Sequence, residues 1–320
     1  MPTTAASLPR VAVLDDYQHV ARTVADWSAL DGRAEITIFH DHLTDLDELV
    51  TRLTPFEAIC IMRERTPLKR PLLERLPNLE LIASTGPRNA AIDLAAAKDR
   101  GVEVKHTGYG SASTIEHTWA LLLASARHLV AESNDVRAGG WQLTLGANFH
   151  GKTLGLLGLG NIGSEVAKIG RAFGMKVIAW SQNLTAEKAS EHGAELVTKE
   201  ELFRQADYLS VHLVLSDRSR GLVGAPEIAL MKPSARLVNT SRGPIVDEAA
   251  LVSALREGRI AGAALDTFDV EPLPADHPFR TLPRVLTTPH IGYVTEDLYR
   301  TFYGDTVTNL VRWLDERTKS

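Results

Sequence analysis

The chain has 320 residues, too many for one small core and enough for two ordinary domains, and its 44% hydrophobic and 23% charged residues are those of a globular protein. A formal charge of -5 offers no polycationic surface to neutralise phosphates, so nucleic acid is not an expected partner. A single cysteine, Cys60, excludes an internal disulfide framework and fits a reducing compartment.

Met1 to Pro9 lacks a basic segment followed by an apolar core, and no later stretch reaches the roughly 18 uncharged apolar residues of a membrane span. A cytoplasmic protein with no membrane partner is expected. From Val11 short apolar runs alternate with amphipathic stretches, predicting strands over 11–14, 36–39, 58–61, 81–83 and 102–104 in a parallel α/β sheet. Cys60 falls in the third run and reads as a small packed hydrophobe. His40 and His42 alternate about Asp41 and would face opposite ways along a strand, so they read as a solvated loop, not a metal pair. The chemistry inferred below requires no metal.

An apolar helix is predicted from Ser113 to Ala131, containing Trp119 to Ala124, too hydrophobic to face solvent. It is an interdomain spine, a subunit interface, or both. Trp141, beside Gly139-Gly140, reads as a packing or interface aromatic. A second strand series follows over 154–158, 176–180, 208–211, 235–238, 262–265 and 285–287, and a last helix over Thr295 to Arg317 repeats apolar residues at Leu298, Phe302, Val307, Leu310 and Leu314. That helix is predicted to pack back across the first lobe. The pattern is thus α/β with two doubly wound parallel-sheet domains.

Gly158-Leu-Gly160-Asn161-Ile162-Gly163 matches the dinucleotide fingerprint, and its context completes a βαβ unit: an apolar strand before, a helix over Ile162 to Phe173 after, and a strand ending at Trp180. Gly158 permits the tight turn, Gly160 lets backbone approach a pyrophosphate, and Gly163 allows close helix packing at an N-terminus that attracts phosphate. The acidic residue expected at the end of the second strand is replaced by Ser181, Gln182 and Asn183. A carboxylate there would accept bonds from the ribose and repel a 2'-phosphate, whereas these neutral side chains accommodate either group. The cofactor is therefore NAD or NADP, and the choice stays open.

The last third carries Arg242 in Asn-Thr-Ser-Arg-Gly, Glu271 in Glu-Pro and His290 in Thr-Pro-His-Ile-Gly. Arg can fork two N–H donors onto a carboxylate, His exchanges a proton near neutral pH, and a carboxylate beside the His can hold it protonated and fix which nitrogen faces outward. Together they suffice for reversible hydride chemistry on a 2-oxo acid, with Arg242, Glu271 and His290 as the catalytic candidates.

These residues resemble the D-isomer-specific 2-hydroxyacid dehydrogenases, the family of phosphoglycerate, glycerate, glyoxylate/hydroxypyruvate and D-lactate dehydrogenases. The similarity runs in family order through Ile92 to Val102, Ser113 to His117, Gly151 to Gly163, Asn239 to Asp247, Ala264 to Pro272 and Thr288 to Gly292. The resemblance implies a flavodoxin-like substrate domain (1–107 plus 291–320), an inserted Rossmann NAD(P)-binding domain (108–290), catalysis in a cleft and a homodimer joined through the helix from Ser113. It places Asp266 at the nicotinamide end of the cofactor, unless Asp266 is a structural cap, with Thr240, Ser241, His212 and Gly292 along the cofactor's path. It aligns Ser84 to Asp93 with a loop whose amides receive the substrate carboxylate, which brings in Gly86. Here the chain departs from the family: Arg88 stands where Gly is common and either selects an anionic or bulkier substrate or points to solvent, with Arg65 a second candidate. The substrate is a small 2-oxo or D-2-hydroxy acid, such as glyoxylate or hydroxypyruvate. Two rivals resemble the same family, a formate dehydrogenase, which pairs its His with Gln where this chain has Glu271, and an NAD(H)-sensing corepressor-like binding protein.

Overall fold

The computed structural model describes residues 7–319, so the leader reading of Met1 to Pro9 lies mostly outside them. The chain divides into two compact units, one running to Gly110 and resuming at Val294, the other Ser111–Tyr293. Each seam lies three residues beyond the expected one.

The first unit is built on five parallel strands: β1 (Arg10–Val13), β2 (Glu35–Ile38), β3 (Ala58–Ile61), β4 (Leu81–Ser84) and β5 (Glu103–His106), in the order β2-β1-β3-β4-β5. That is the doubly wound order of flavodoxin-like sheets. β3 and β4 are buried at every residue because both faces of the sheet are covered, which is why they read as unbroken apolar runs. Cys60 packs inside β3, and burial pushes its thiol up to about 12. The helix Glu296–Arg317 starts on a Thr295 side-chain cap and buries Leu298, Phe302, Leu310 and Leu314. It packs on β4 and β5 of its own unit.

The second unit holds seven parallel strands: β6 (Thr153–Leu157), β7 (Lys176–Trp180), β8 (Glu195–Leu196), β9 (Tyr208–Val211), β10 (Arg236–Asn239), β11 (Gly262–Leu265) and β12 (Val285–Thr287). Their order, β12-β11-β10-β9-β6-β7-β8, reverses between β6 and β9, which puts the ligand crevice at the carboxyl ends of those two strands. The two-residue β8 was not legible in the sequence.

The helix expected over Ser113 to Ala131 is Ala112–Arg127, and the chain breaks at His128, whose φ of 53° is left-handed, before resuming as Leu129–Arg137. The apolar content of the first segment is consumed within its own unit: Ile115, Trp119, Leu121, Leu122 and Ala126 are buried, and the helix packs on β10, β11, β12 and the helix Asn161–Ala172. One face of this helix is therefore interior, while Leu123 and, past the break, Leu129 and Val130 remain exposed. Further exposed apolar residues lie just downstream, with Trp141 79% and Leu145 95% exposed. Among the described residues no helix is long and apolar enough to cross a membrane.

Candidate active site

The cofactor turn follows β6. Gly158 has a φ of 106°, and a Cβ there would stand 2.7 Å from the His212 carbonyl oxygen at the end of β9, so only glycine lets the two strands close at the reversal point. A Cβ on Gly163 would overlap the Gly158 carbonyl, whereas the space beside Gly160 is open. Gly160 caps the helix Asn161–Ala172 without a side-chain bond, leaving the first-turn amides of Asn161, Ile162 and Gly163 to an anion. This open cradle at a helix N-terminus fits a dinucleotide pyrophosphate. At the end of β7, Ser181 is half-buried and Gln182 exposed.

His212, placed on the same path, is half-buried just after β9. Its Nε2 lies 2.9 Å from Ser210 Oγ, and burial lowers the imidazole to about 4. Its backbone carbonyl, not its ring, meets the glycine turn.

Three neighbouring strands present the catalytic candidates. β10 ends in Asn239, a buried Asn whose Oδ1 accepts from the Ser241 amide (3.0 Å) and whose Nδ2 donates to the Arg242 carbonyl (2.9 Å), pinning the turn that carries Arg242. Arg242 Nη1 donates to the Ser241 carbonyl at 2.7 Å, which orients the guanidinium. β11 leads to Asp266 and on to Glu271, whose Oε1 accepts from the Phe268 amide at 2.9 Å. β12 leads to His290, whose Nδ1 donates to Glu271 Oε2 at 2.6 Å. The imidazole is thereby fixed, with Nε2 turned away from Glu271. His290 itself has a φ of 52°, held by its amide bond to the Thr288 carbonyl and by an edge contact with Tyr293.

Gly243 explains how the Arg242 and Glu271 loops fit together. A Cβ there would overlap the Phe268 carbonyl group and crowd the Asp269 amide, so the turn after Arg242 lies on the backbone that leads to Glu271. Gly243→Ala is expected to displace these loops. Overpacking of this kind costs about 1–3 kcal/mol, and a misplacement of about 1 Å costs roughly 100-fold in turnover. Thermal melting and steady-state rates on the variant check both effects.

Several residues placed on the cofactor's path use their side chains to hold these loops. Thr240 Oγ1 pairs with Thr118 Oγ1 at 2.8 Å, and Ser241 Oγ donates to the Leu213 carbonyl. Asp266 is buried with both oxygens engaged: Thr288 Oγ1 (2.5 Å), the Ile291 amide (2.9 Å) and His117 Nε2 (3.1 Å) meet Oδ1, and the Gly292 amide (2.8 Å) meets Oδ2. In this arrangement it is a cap for the His290 loop, the alternative reading of that residue. His117, on the Ala112–Arg127 helix, had no role in the sequence reading. Its signal was a polar stripe of Thr114, His117 and Thr118 at i, i+3, i+4 on a helix that also carries Ile115, Trp119, Leu121 and Leu122.

In the first unit the loop after β4 differs from expectation. The Gly86 amide donates to Thr107 Oγ1 at 2.8 Å and so is committed within the fold. Arg65 donates to the Asp15 carbonyl (2.6 Å) and the Tyr299 hydroxyl (3.1 Å), packed over the Tyr17 ring, and Arg88 is exposed. The cation against the Gly86 turn is Arg63, whose Nη1 donates to the Thr85 carbonyl at 3.0 Å and occupies the space a Cβ on Gly86 would need. Its position directly after β3, at a strand's carboxyl end, was the available signal. His42 is not in a solvated loop: its Nδ1 meets buried Asp15 Oδ1 at 2.8 Å, while His40 Nδ1 meets the Asp16 carbonyl at 2.9 Å.

Residues 119–292, more than half of the chain, match the model of the D-isomer specific 2-hydroxyacid dehydrogenase NAD binding domain. A glyoxylate reductase of Aeropyrum pernix is 45% identical over 236 residues, 71% of this chain and 70% of that one. A D-3-phosphoglycerate dehydrogenase of Bacillus subtilis is 38% identical over 82% of this chain, which spans only 50% of that longer protein. Among solved structures, a phosphoglycerate oxidoreductase from Vibrio cholerae superposes with a TM-score of 0.92 at 38% identity, covering 97% of this chain and 100% of that one. The chain belongs to the D-isomer-specific 2-hydroxyacid dehydrogenase family. It is an oxidoreductase in which NAD(P) supplies or accepts the hydride and a small 2-oxo or D-2-hydroxy acid is the other reactant.

Proposed function

We propose that Arg242, His290 and Glu271 carry out this reaction on a small 2-oxo acid of the glyoxylate or hydroxypyruvate type. The observation that carries the reading is the 2.6 Å bond between His290 Nδ1 and Glu271 Oε2 on loops next to that of Arg242. With Nδ1 committed, Nε2 is the atom that gives its proton to the carbonyl oxygen on reduction and recovers it on oxidation. Glu271 stabilises the imidazolium, as the Phe268 amide holds its other oxygen. Arg242 receives the substrate carboxylate as a planar fork and polarises the 2-oxo group. The open helix N-terminus at 161–163 holds the pyrophosphate, and the neutral Ser181 and Gln182 admit NADH and NADPH alike. The glyoxylate reductase similarity supports the substrate class.

In the same reading the chain is a cytoplasmic homodimer. The lone cysteine, Cys60, which leaves no internal disulfide to form, fits a reducing compartment. The exposed Leu129, Val130, Trp141 and Leu145 support a second copy covering this segment, and sedimentation velocity reads the association directly.

The deciding experiment follows nicotinamide absorbance with NADH and NADPH over glyoxylate, hydroxypyruvate, pyruvate, phenylpyruvate and phosphohydroxypyruvate. Turnover of the small unphosphorylated acids with both cofactors is the expected result. Strong preference for phosphohydroxypyruvate or phenylpyruvate would overturn the substrate reading, and silence with cofactor bound would return the protein to the sensing class.

A further inference from the structure

The polar stripe on the Ala112–Arg127 helix touches all three catalytic loops. Thr114 Oγ1 donates to the Gly292 carbonyl (3.2 Å), His117 Nε2 meets Asp266 Oδ1 and Thr288 Oγ1 (3.1 Å each), and Thr118 Oγ1 meets Thr240 Oγ1 (2.8 Å). Because Thr118 donates its hydrogen to the Thr114 carbonyl at 2.8 Å, Thr240 is the donor in that last pair. The helix buries Ile115, Trp119, Leu121, Leu122 and Ala126 against its own sheet, and apolar side chains could equally have packed at the three stripe positions. Buried polar groups cost free energy unless paired, and all three of these are paired to loop atoms.

His117 has the central place. The Thr288 hydroxyl gives its hydrogen to Asp266, so both atoms that face His117 Nε2 are acceptors and Nε2 must carry a hydrogen. Asp266 in turn accepts from the two successive amides of Ile291 and Gly292, immediately after His290. Resting on the dehydrogenase reading above, we infer that His117 is a positioning residue that, through Asp266, holds the 288–292 loop and with it the proton-transferring imidazole of His290. Burial works against charge on Asp266, but donation from His117 and Thr288 and from the Ile291 amide keeps the carboxyl below its usual range. The groups facing Asp266 are His117, Thr288 and the amides of Ile291 and Gly292, and among them His117 alone can add positive charge. An ionised Asp266 accepts from both amides at once, whereas a protonated one surrenders acceptor capacity and the loop with it.

The test compares His117→Leu, which keeps apolar bulk and loses the donor, with His117→Gln, whose amide can donate to Asp266. Hydrogen exchange at the Ile291 and Gly292 amides is the first readout, because it needs no turnover. Exchange about tenfold faster in His117→Leu is expected. With it kcat should fall by about tenfold or more while the cofactor KM stays within about threefold, with a loss that deepens as pH falls and Asp266 gains its proton. His117→Gln should restore most of both. Unchanged exchange in His117→Leu, or a Gln variant no better than Leu, would overturn the inference. If His117→Leu does not fold, Asp266→Asn must raise the same exchange rates, and unchanged rates there would overturn it equally. A wild-type protein that turns over no 2-oxo acid would sink the dehydrogenase reading instead, leaving the exchange measurement to judge the His117 contact.

Discussion

His290→Asn is expected to lower kcat by about 100- to 10,000-fold, the range that a positioned general acid or base contributes, while cofactor binding measured by nicotinamide fluorescence stays near the wild-type value. Asn is the informative replacement because His290 has a φ of 52°, a left-handed conformation that Asn adopts more readily than most residues. Ala at this position would add backbone strain to the loss of the imidazole and blur the result. Asn keeps the turn, keeps an N–H that can face Glu271, and removes the one atom that the geometry turns away from Glu271, Nε2. A large loss in kcat with an intact fold therefore reports the missing proton transfer. A variant within about threefold of wild type would show that the proton comes from elsewhere and would remove His290 from the mechanism.

Much of this site was legible because its chemistry is written at strand ends. The runs that became β10, β11 and β12 were found to within a residue, and an Arg, a Glu and a His directly after them stand out as groups that strand packing does not require. The glycine turn was legible for the same reason, since Gly158 and Gly163 sit where a Cβ would strike backbone. What stayed hidden depends on partners distant in sequence. Asp266 and His117 are 149 residues apart, and nothing local to either reveals that they meet. Periodicity also ran the helix through His128, because the pattern on both sides fits one helix and the left-handed break there has no turn-forming Gly or Pro to announce it. Hydrophobicity likewise shows that Leu121 and Leu122 must be buried, but not that their own sheet buries them while Leu129 and Val130 stay exposed.

Arg242→Lys is expected to lower kcat/KM for the 2-oxo acid by about 100- to 1000-fold, even though charge is conserved. The shape of the group and its mounting set this loss. Asn239 fixes the turn from both sides, and the Arg242 Nη1 bond to the Ser241 carbonyl fixes the plane of the guanidinium. A planar fork so held can present two parallel N–H donors to a carboxylate, while an ammonium offers a point charge on a mobile stem. Removing a preorganised donor from a developing oxyanion costs about 2.7–4 kcal/mol, which is that loss in rate. The loss should be shared between a higher KM for the acid and a lower kcat, because the same group binds the carboxylate and polarises the carbonyl. Cofactor affinity should not follow, since no part of the glycine turn at 158–163 is bonded to Arg242 through the contacts that fix its plane. A Lys variant with wild-type kcat/KM would mean that the substrate carboxylate is bound by another group and would remove Arg242 from that role.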